Sequence, residues 1–279
     1  MIPAFLLALR EGLEGALIVG IVLGALRKMN RHDLQPIVWA GTISAVVVSA
    51  VAAVVLYQIG ISLEKEAEAI FEGITMLLAA AVLTWMILWM RYQAKSMSQN
   101  LAAEVRQAAG QKGTQTLFAV AFLAVVREGI ELALFLAAAS FTAGGQATIL
   151  GAVLGLVVIT IVAWAFFSRL IKLDMGRFFQ YTSILLILFA AGLVAHGVHE
   201  LNEVGWIPAM IEHIWDTNFL LDENAFVGQL MKTLFGYNGN PSLTEVLAYI
   251  GYYVALFFGL RRQQEWAALQ QANEAVITP

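Results

Sequence analysis

Long apolar runs alternate with short polar breaks along this chain. Runs at roughly 3–26, 36–60, 69–90, 115–139, 146–168, 178–199 and 243–260 are each long enough to cross about 30 Å of hydrocarbon as a helix. They are too long and too uniformly apolar for barrel strands. A backbone deprived of water must also satisfy its own N–H and C=O groups, which a helix does within one segment. The pattern therefore predicts an all-α integral membrane protein of about seven transmembrane helices. The first run does not read as a cleavable leader, because it lacks a positive start and meets Arg10 and Glu11 within a few residues. It is predicted to be a retained span.

Composition agrees with this. Of 279 residues, 60% are hydrophobic and 13% charged, more apolar surface than a soluble domain can hide. There is no cysteine, which removes disulfides and thiolate metal sites. No basic block points to nucleic acid, and no phosphate-binding glycine loop supports ATP-driven transport.

The charge of the breaks decides orientation. One side holds Arg27, Lys28 and Arg31, then Arg91, Lys95, Arg106 and Lys112, then Arg169, Lys172 and Arg177, and finally Arg261 and Arg262. The other holds only Lys65 and Lys232 among the bases, with Glu64, Glu66, Glu68, Glu72, Glu200, Glu203, Glu212, Asp216, Asp222, Glu223 and Glu245. The positive-inside rule then places the N-terminus outside and the C-terminus in the cytoplasm, which requires an odd number of crossings. The implied location is a cytoplasmic (inner) membrane, crossed many times. The organisation read from this is a first three-helix repeat over 1–90, a polar cytoplasmic linker over 91–114 and a second three-helix repeat over 115–199. An extracytoplasmic loop over 200–242 follows, then a seventh helix with its tail over 243–279. Trp206, Trp215, Phe219 and Phe226 suit a loop whose segments lie at the membrane interface, and Trp85, Trp89 and Tyr92 suit an interfacial aromatic belt.

The word repeat rests on one motif. Residues 9–17 read Leu-Arg-Glu-Gly-Leu-Glu-Gly-Ala-Leu and residues 126–134 read Val-Arg-Glu-Gly-Ile-Glu-Leu-Ala-Leu, displaced by 117 positions. The copies fall in the first and fourth spans, which run in opposite directions. The halves therefore form a 3+3 inverted repeat with one helix extra, an arrangement in which transporters place their site near the midplane. Glu11 and Glu14 are three residues apart, as are Glu128 and Glu131, so each pair shares a helical face. Gly12 and Gly129 lie between them and let another helix approach closely. An ionised acid near a helix centre costs roughly 2.5–3.5 kcal/mol on insertion scales, so four of them need an offset. Arg10 and Arg127 can each neutralise one, at i+4. Protonation or a bound cation can supply the rest, and oxygen donors favour hard cations such as iron, manganese, magnesium or calcium. Plain Arg–Glu pairs that hold helices together are the alternative, but four acids against two arginines leave two acids over.

A second set lies at the outer end of the sixth span. His196, His199, Glu200 and Glu203 share one helical face, and Glu72 stands at the outer start of the third. Imidazole with carboxylate suits a transition metal, so these five residues are candidates for a site through which a cation enters.

The doubled Arg-Glu-Gly-x-Glu motif in spans one and four resembles that of the oxidase-dependent iron permeases, which comprise the bacterial EfeU-type permeases and the fungal high-affinity iron permease. Phe71-Glu72-Gly73, Leu83-Thr84-Trp85-Met86 and the neighbourhood of His199-Glu200 support the resemblance. It implies a high-affinity iron importer with no prosthetic group, carrying iron as Fe2+ or Fe3+. It places metal binding on Glu11, Glu14, Glu128 and Glu131, with Arg10 and Arg127 inside the motif. It also implies an extracytoplasmic partner, a ferroxidase or iron-binding protein. A permease for another metal, such as manganese or lead, and an intramembrane metalloenzyme using the same carboxylates remain alternatives.

Overall fold

In the computed structural model, residues 1–93, 113–168, 174–223 and 225–277 are described. The predicted 91–114 linker lies almost wholly outside them. The helices are α1 (Ile2–Lys28), α2 (Gln35–Ser62), α3 (Lys65–Gln93), α4 (Gly113–Ala143), α5 (Gly145–Phe167), α6 (Met175–Glu203), α7 (Phe226–Phe235) and α8 (Leu243–Ile277). Among the described residues there is no strand. Five of these helices, α2, α3, α5, α6 and α8, are long and apolar enough to cross a membrane. The other two long helices, α1 and α4, have 27 and 31 residues, and each carries an arginine and two glutamates along its length.

Local chemistry sets several helix ends. Pro3 and Pro36 sit in the first turns of α1 and α2, where a missing N–H costs nothing. Asp174 caps α6 by accepting a hydrogen bond from the Arg177 backbone N–H at 3.2 Å. A single residue, Gly144, separates α4 from α5. Its φ of 81° is a conformation that side chains resist, and glycine allows the chain to reverse there.

The molecule is inside out relative to a soluble protein. Val46, Val47, Val51 and Val54 of α2 and Ile149, Leu150, Val153 and Ile161 of α5 are exposed, while Arg10, Glu11, Glu14 and Glu128 are buried. Apolar surface of that extent is stable only against lipid. The largest core cluster joins Leu7 of α1 and Phe135 of α4 to Met76, Leu83 and Met86 of α3 and Leu186, Phe189 and Leu193 of α6.

Helices from the two halves interlock. The main pairings are α1 with α5, α2 with α4, α3 with α6 and α1 with α4, a set unchanged when the first three helices are exchanged with the next three. The residues correspond too. A side chain added at Gly151 would strike the Met1 carbonyl and Ala4, and one at Gly41 would strike the Phe118 carbonyl and Ala121. Gly12 abuts Ile159 as Gly129 abuts Ser49. The α1 and α4 members of these contacts differ by 117 positions and the α2 and α5 members by 110. Residue numbers rise together along α1 and α5, so these two run in the same direction, as do α2 and α4. At the α3–α6 crossing, a Cβ on Gly73 would lie 2.9 Å from the Gly197 carbonyl oxygen, and a Cβ on Gly197 would lie 2.9 Å from that of Gly73.

The 200–242 region differs from a purely interfacial loop. Trp206, Met210, Phe219 and Leu220 are exposed, but α7 folds back along α6. Its C-cap, Gly236, has φ 69° and abuts the backbone of Gly192. Gly192 lies eleven residues before the end of α6, about 16 Å along the helix. Only glycine at both positions permits so close an approach.

Candidate metal-binding site

The central site forms where α1 and α4 meet. Donor oxygens of Glu11, Glu128 and Glu131 lie within 4.8 Å of one another, the only such convergence of three or more His, Asp or Glu side chains among the described residues. Both carboxylate oxygens of Glu11, Oε2 of Glu128 and Oε2 of Glu131 are buried with no hydrogen-bond donor. Buried carboxylate oxygens without a donor are costly. Three of them turned toward one point form an oxygen-only donor set suited to a hard cation.

The arginines take the pairings that the spacing predicts. Arg10 Nε donates to Glu14 Oε1 at 3.2 Å, and Arg127 Nε donates to Glu131 Oε1 at 3.0 Å. Arg127 also lies 3.9 Å from Glu128 Oε1. Glu14 is buried and held by Arg10, and it stands beside the three converging carboxylates rather than among them. Gly12 and Gly129 do admit close neighbours, but the helices they admit are α5 and α2. The motif glycines thus seat α1 and α4 against the other half's second helix.

Two residues of α3 complete the surroundings. Arg10 Nη2 donates to the Met90 sulfur at 3.1 Å, and the Arg127 guanidinium carbon lies 4.9 Å from the centre of the Trp89 ring. Trp89, which the pattern assigns to an interfacial belt, is instead a neighbour of the site. The cue available beforehand was its place on a helix that must cover the motif, which no local pattern records.

The outer set does not converge. The His196 ring turns back on its own helix, with Nδ1 2.9 Å from the Gly192 carbonyl oxygen, and its Nε2 is buried without a partner. His199 bridges Glu245 Oε1 through Nδ1 at 2.9 Å and Glu203 Oε1 through Nε2 at 3.4 Å. Glu245 is buried at the start of α8, where it also accepts from Asn238 Nδ2 at 2.8 Å and from the Ser242 backbone N–H at 3.2 Å. Sequence reasoning counts Glu245 only among the outer acids. Its role as the partner of His199 depends on a fold-back of more than forty residues. Glu72 and Glu200 are half-buried and flank the glycine crossing of α3 and α6.

Residues 1–268 match the model of the iron permease FTR1 family. The ferrous iron permease EfeU of Yersinia pestis is 31% identical over 279 residues, covering 98% of this chain and 99% of that protein. Those of Escherichia coli O6:K15:H31 (strain 536) and Shigella sonnei are each 32% identical over 260 residues, covering 91% of this chain and 93% of theirs. No solved structure matches the chain.

Proposed function

The chain belongs to the iron permease FTR1 family, and from that premise we propose that its cargo passes through the carboxylate site between α1 and α4. It is a multi-pass membrane protein and an iron permease, a transporter rather than an enzyme. In the proposed arrangement Glu11, Glu128 and Glu131 ligate the ion and Glu14 lends charge from beside it. The observation that carries this reading is the convergence of three carboxylates from two helices, with their buried oxygens left without donors.

Charge favours ferrous iron as the species carried. Four carboxylates and two guanidiniums leave two negative charges in a low-dielectric setting, which one divalent ion neutralises. The names of the relatives, ferrous iron permeases, agree. The carboxylates replace part of the ion's water shell, and the arginines limit how tightly it is held, so that it can leave.

The proposed topology has seven crossings of a cytoplasmic membrane, α1 to α6 and α8, with the N-terminus outside. The interlocking contacts at constant offsets, and the parallel run of α1 with α5 and α2 with α4, support an inverted repeat. Rocking of one half against the other then exposes the site to either side in turn. Glu72, His196, His199, Glu200 and Glu203 form the outer approach, with an extracytoplasmic ferroxidase or iron-binding partner delivering iron to it.

Radiolabelled iron uptake into proteoliposomes tests the reading. Saturable uptake of Fe(II), abolished in Glu11→Ala/Glu128→Ala protein that still inserts, is the expected result. Uptake only from Fe(III), or equal uptake by the double variant, would overturn the assignment of species or of site respectively. Preferential transport of Mn(II) would redirect it to another metal.

A further inference from the structure

Both motif arginines are held by adjacent residues of a helix that carries no copy of the motif. Residues 89 and 90 of α3 point about 100° apart around the helix, so one turn of α3 faces Arg10 through Met90 and Arg127 through Trp89. Neither seat carries charge. A thioether is a weak acceptor, and an indole face attracts a cation through its quadrupole. Each arginine therefore has an uncharged anchor on α3, besides its glutamate, that leaves its positive charge intact.

We propose that Trp89 and Met90 are positioning residues for iron binding, which keep the two guanidiniums from covering the carboxylate oxygens that the ion needs. The inference rests on the carboxylate reading above. Its direction follows from the geometry at Arg127. That side chain is 44% exposed, bonds Glu131 at 3.0 Å and lies 3.9 Å from Glu128. Without the indole face, the nearest attractive groups left to it are those two carboxylates, both members of the converging set. The guanidinium would close on them and compete with the ion. Arg10 is fully buried and has one terminal nitrogen, Nη1, without a partner. Losing the Met90 acceptor leaves Nη2 in the same condition, so that side chain also turns inward. Displacement of the end of α3 would thus move both arginines together, and through them both repeats.

Calorimetric titration of the purified full-length protein with Fe(II), under anaerobic conditions, tests this without depending on transport. Trp89→Leu is expected to weaken binding about three- to tenfold, the range of a partly exposed cation–π contact, and Trp89→Phe to retain most of the affinity. Met90→Leu, which keeps the volume and removes the acceptor, is expected to weaken it about threefold. In an Arg127→Ala background Trp89→Leu should change nothing further, because the two side chains act as one unit. Unchanged affinity in Trp89→Leu would overturn the proposal. Equal losses in the Leu and Phe variants, or a full loss from Trp89→Leu without Arg127, would also overturn it by assigning Trp89 a packing role. If Glu11→Ala/Glu128→Ala binds Fe(II) like the wild type, the carboxylate reading itself fails, a different result from any of these.

Discussion

The two copies of Arg-Glu-Gly-x-Glu are alike in sequence and unlike in their surroundings. In α1 the arginine is fully buried, and its partner Glu14 stands outside the converging set. In α4 the arginine is nearly half exposed, its partner Glu131 keeps one oxygen free, and an aromatic ring lies beneath the guanidinium. The first copy is built like a fixed post and the second like a movable arm. Repetition of sequence therefore does not imply repetition of role. The non-repeated end of α3 gives each copy a different setting, a thioether for Arg10 and an indole face for Arg127.

The comparison breaks most sharply at the arginines. Arg10→Ala removes the counter-charge of a buried acid and is expected to cost roughly 3–5 kcal/mol, read as lost thermal stability in detergent. Arg127→Ala, at a half-exposed site, should cost under about 1 kcal/mol and leave a folded protein. Equal losses from the two would show that the copies are equivalent after all. The next effect is on metal affinity. Glu131→Gln takes an oxygen from the converging set and is expected to weaken Fe(II) binding on the order of a hundredfold, against about tenfold for Glu14→Gln, whose oxygen already serves Arg10. Titration of both variants decides it, and the reverse order would sink the assignment. The smallest contrast lies at the glycines. Gly129→Ala meets the short, backbone-bonded Ser49 side chain, which has nowhere to go. Gly12→Ala meets the Cγ2 methyl of Ile159 at 2.8 Å, a milder overlap than the one at Ser49. The former should cost about 1–3 kcal/mol and the latter less, measured by thermal unfolding.

Much of this was legible from the sequence. Seven apolar runs became seven long helices with ends within about four residues, because immersion in lipid writes itself into every position of a span; the exception is α8, which runs on past residue 260 to Ile277 through a polar stretch. The arginine pairings at i+4 were legible for the same kind of reason, since a helix brings those positions together by its own geometry. What escaped was contact between distant parts. Trp89 borders a polar stretch and looks like a membrane boundary, and Met90 beside it looks like ordinary packing. Glu245 sits beside a loop rich in acids, and α7 is too short to announce a fold-back. His196 shares a face with His199, yet its ring bonds to its own helix, because a shared face fixes only the direction of Cβ and not where a ring finally points.

The interlocking of the two halves has a consequence for how the chain is made. Because α1 packs mainly on α5 and α4, and α2 mainly on α4, each half buries most of its helix surface against the other rather than against itself. When α1 leaves the ribosome with Arg10, Glu11 and Glu14, the glutamates that will face them are more than a hundred residues from being translated. For that interval the first motif must wait where water or the insertion machinery can solvate it. The order of synthesis therefore makes α4 the helix that licenses α1 to settle into the membrane.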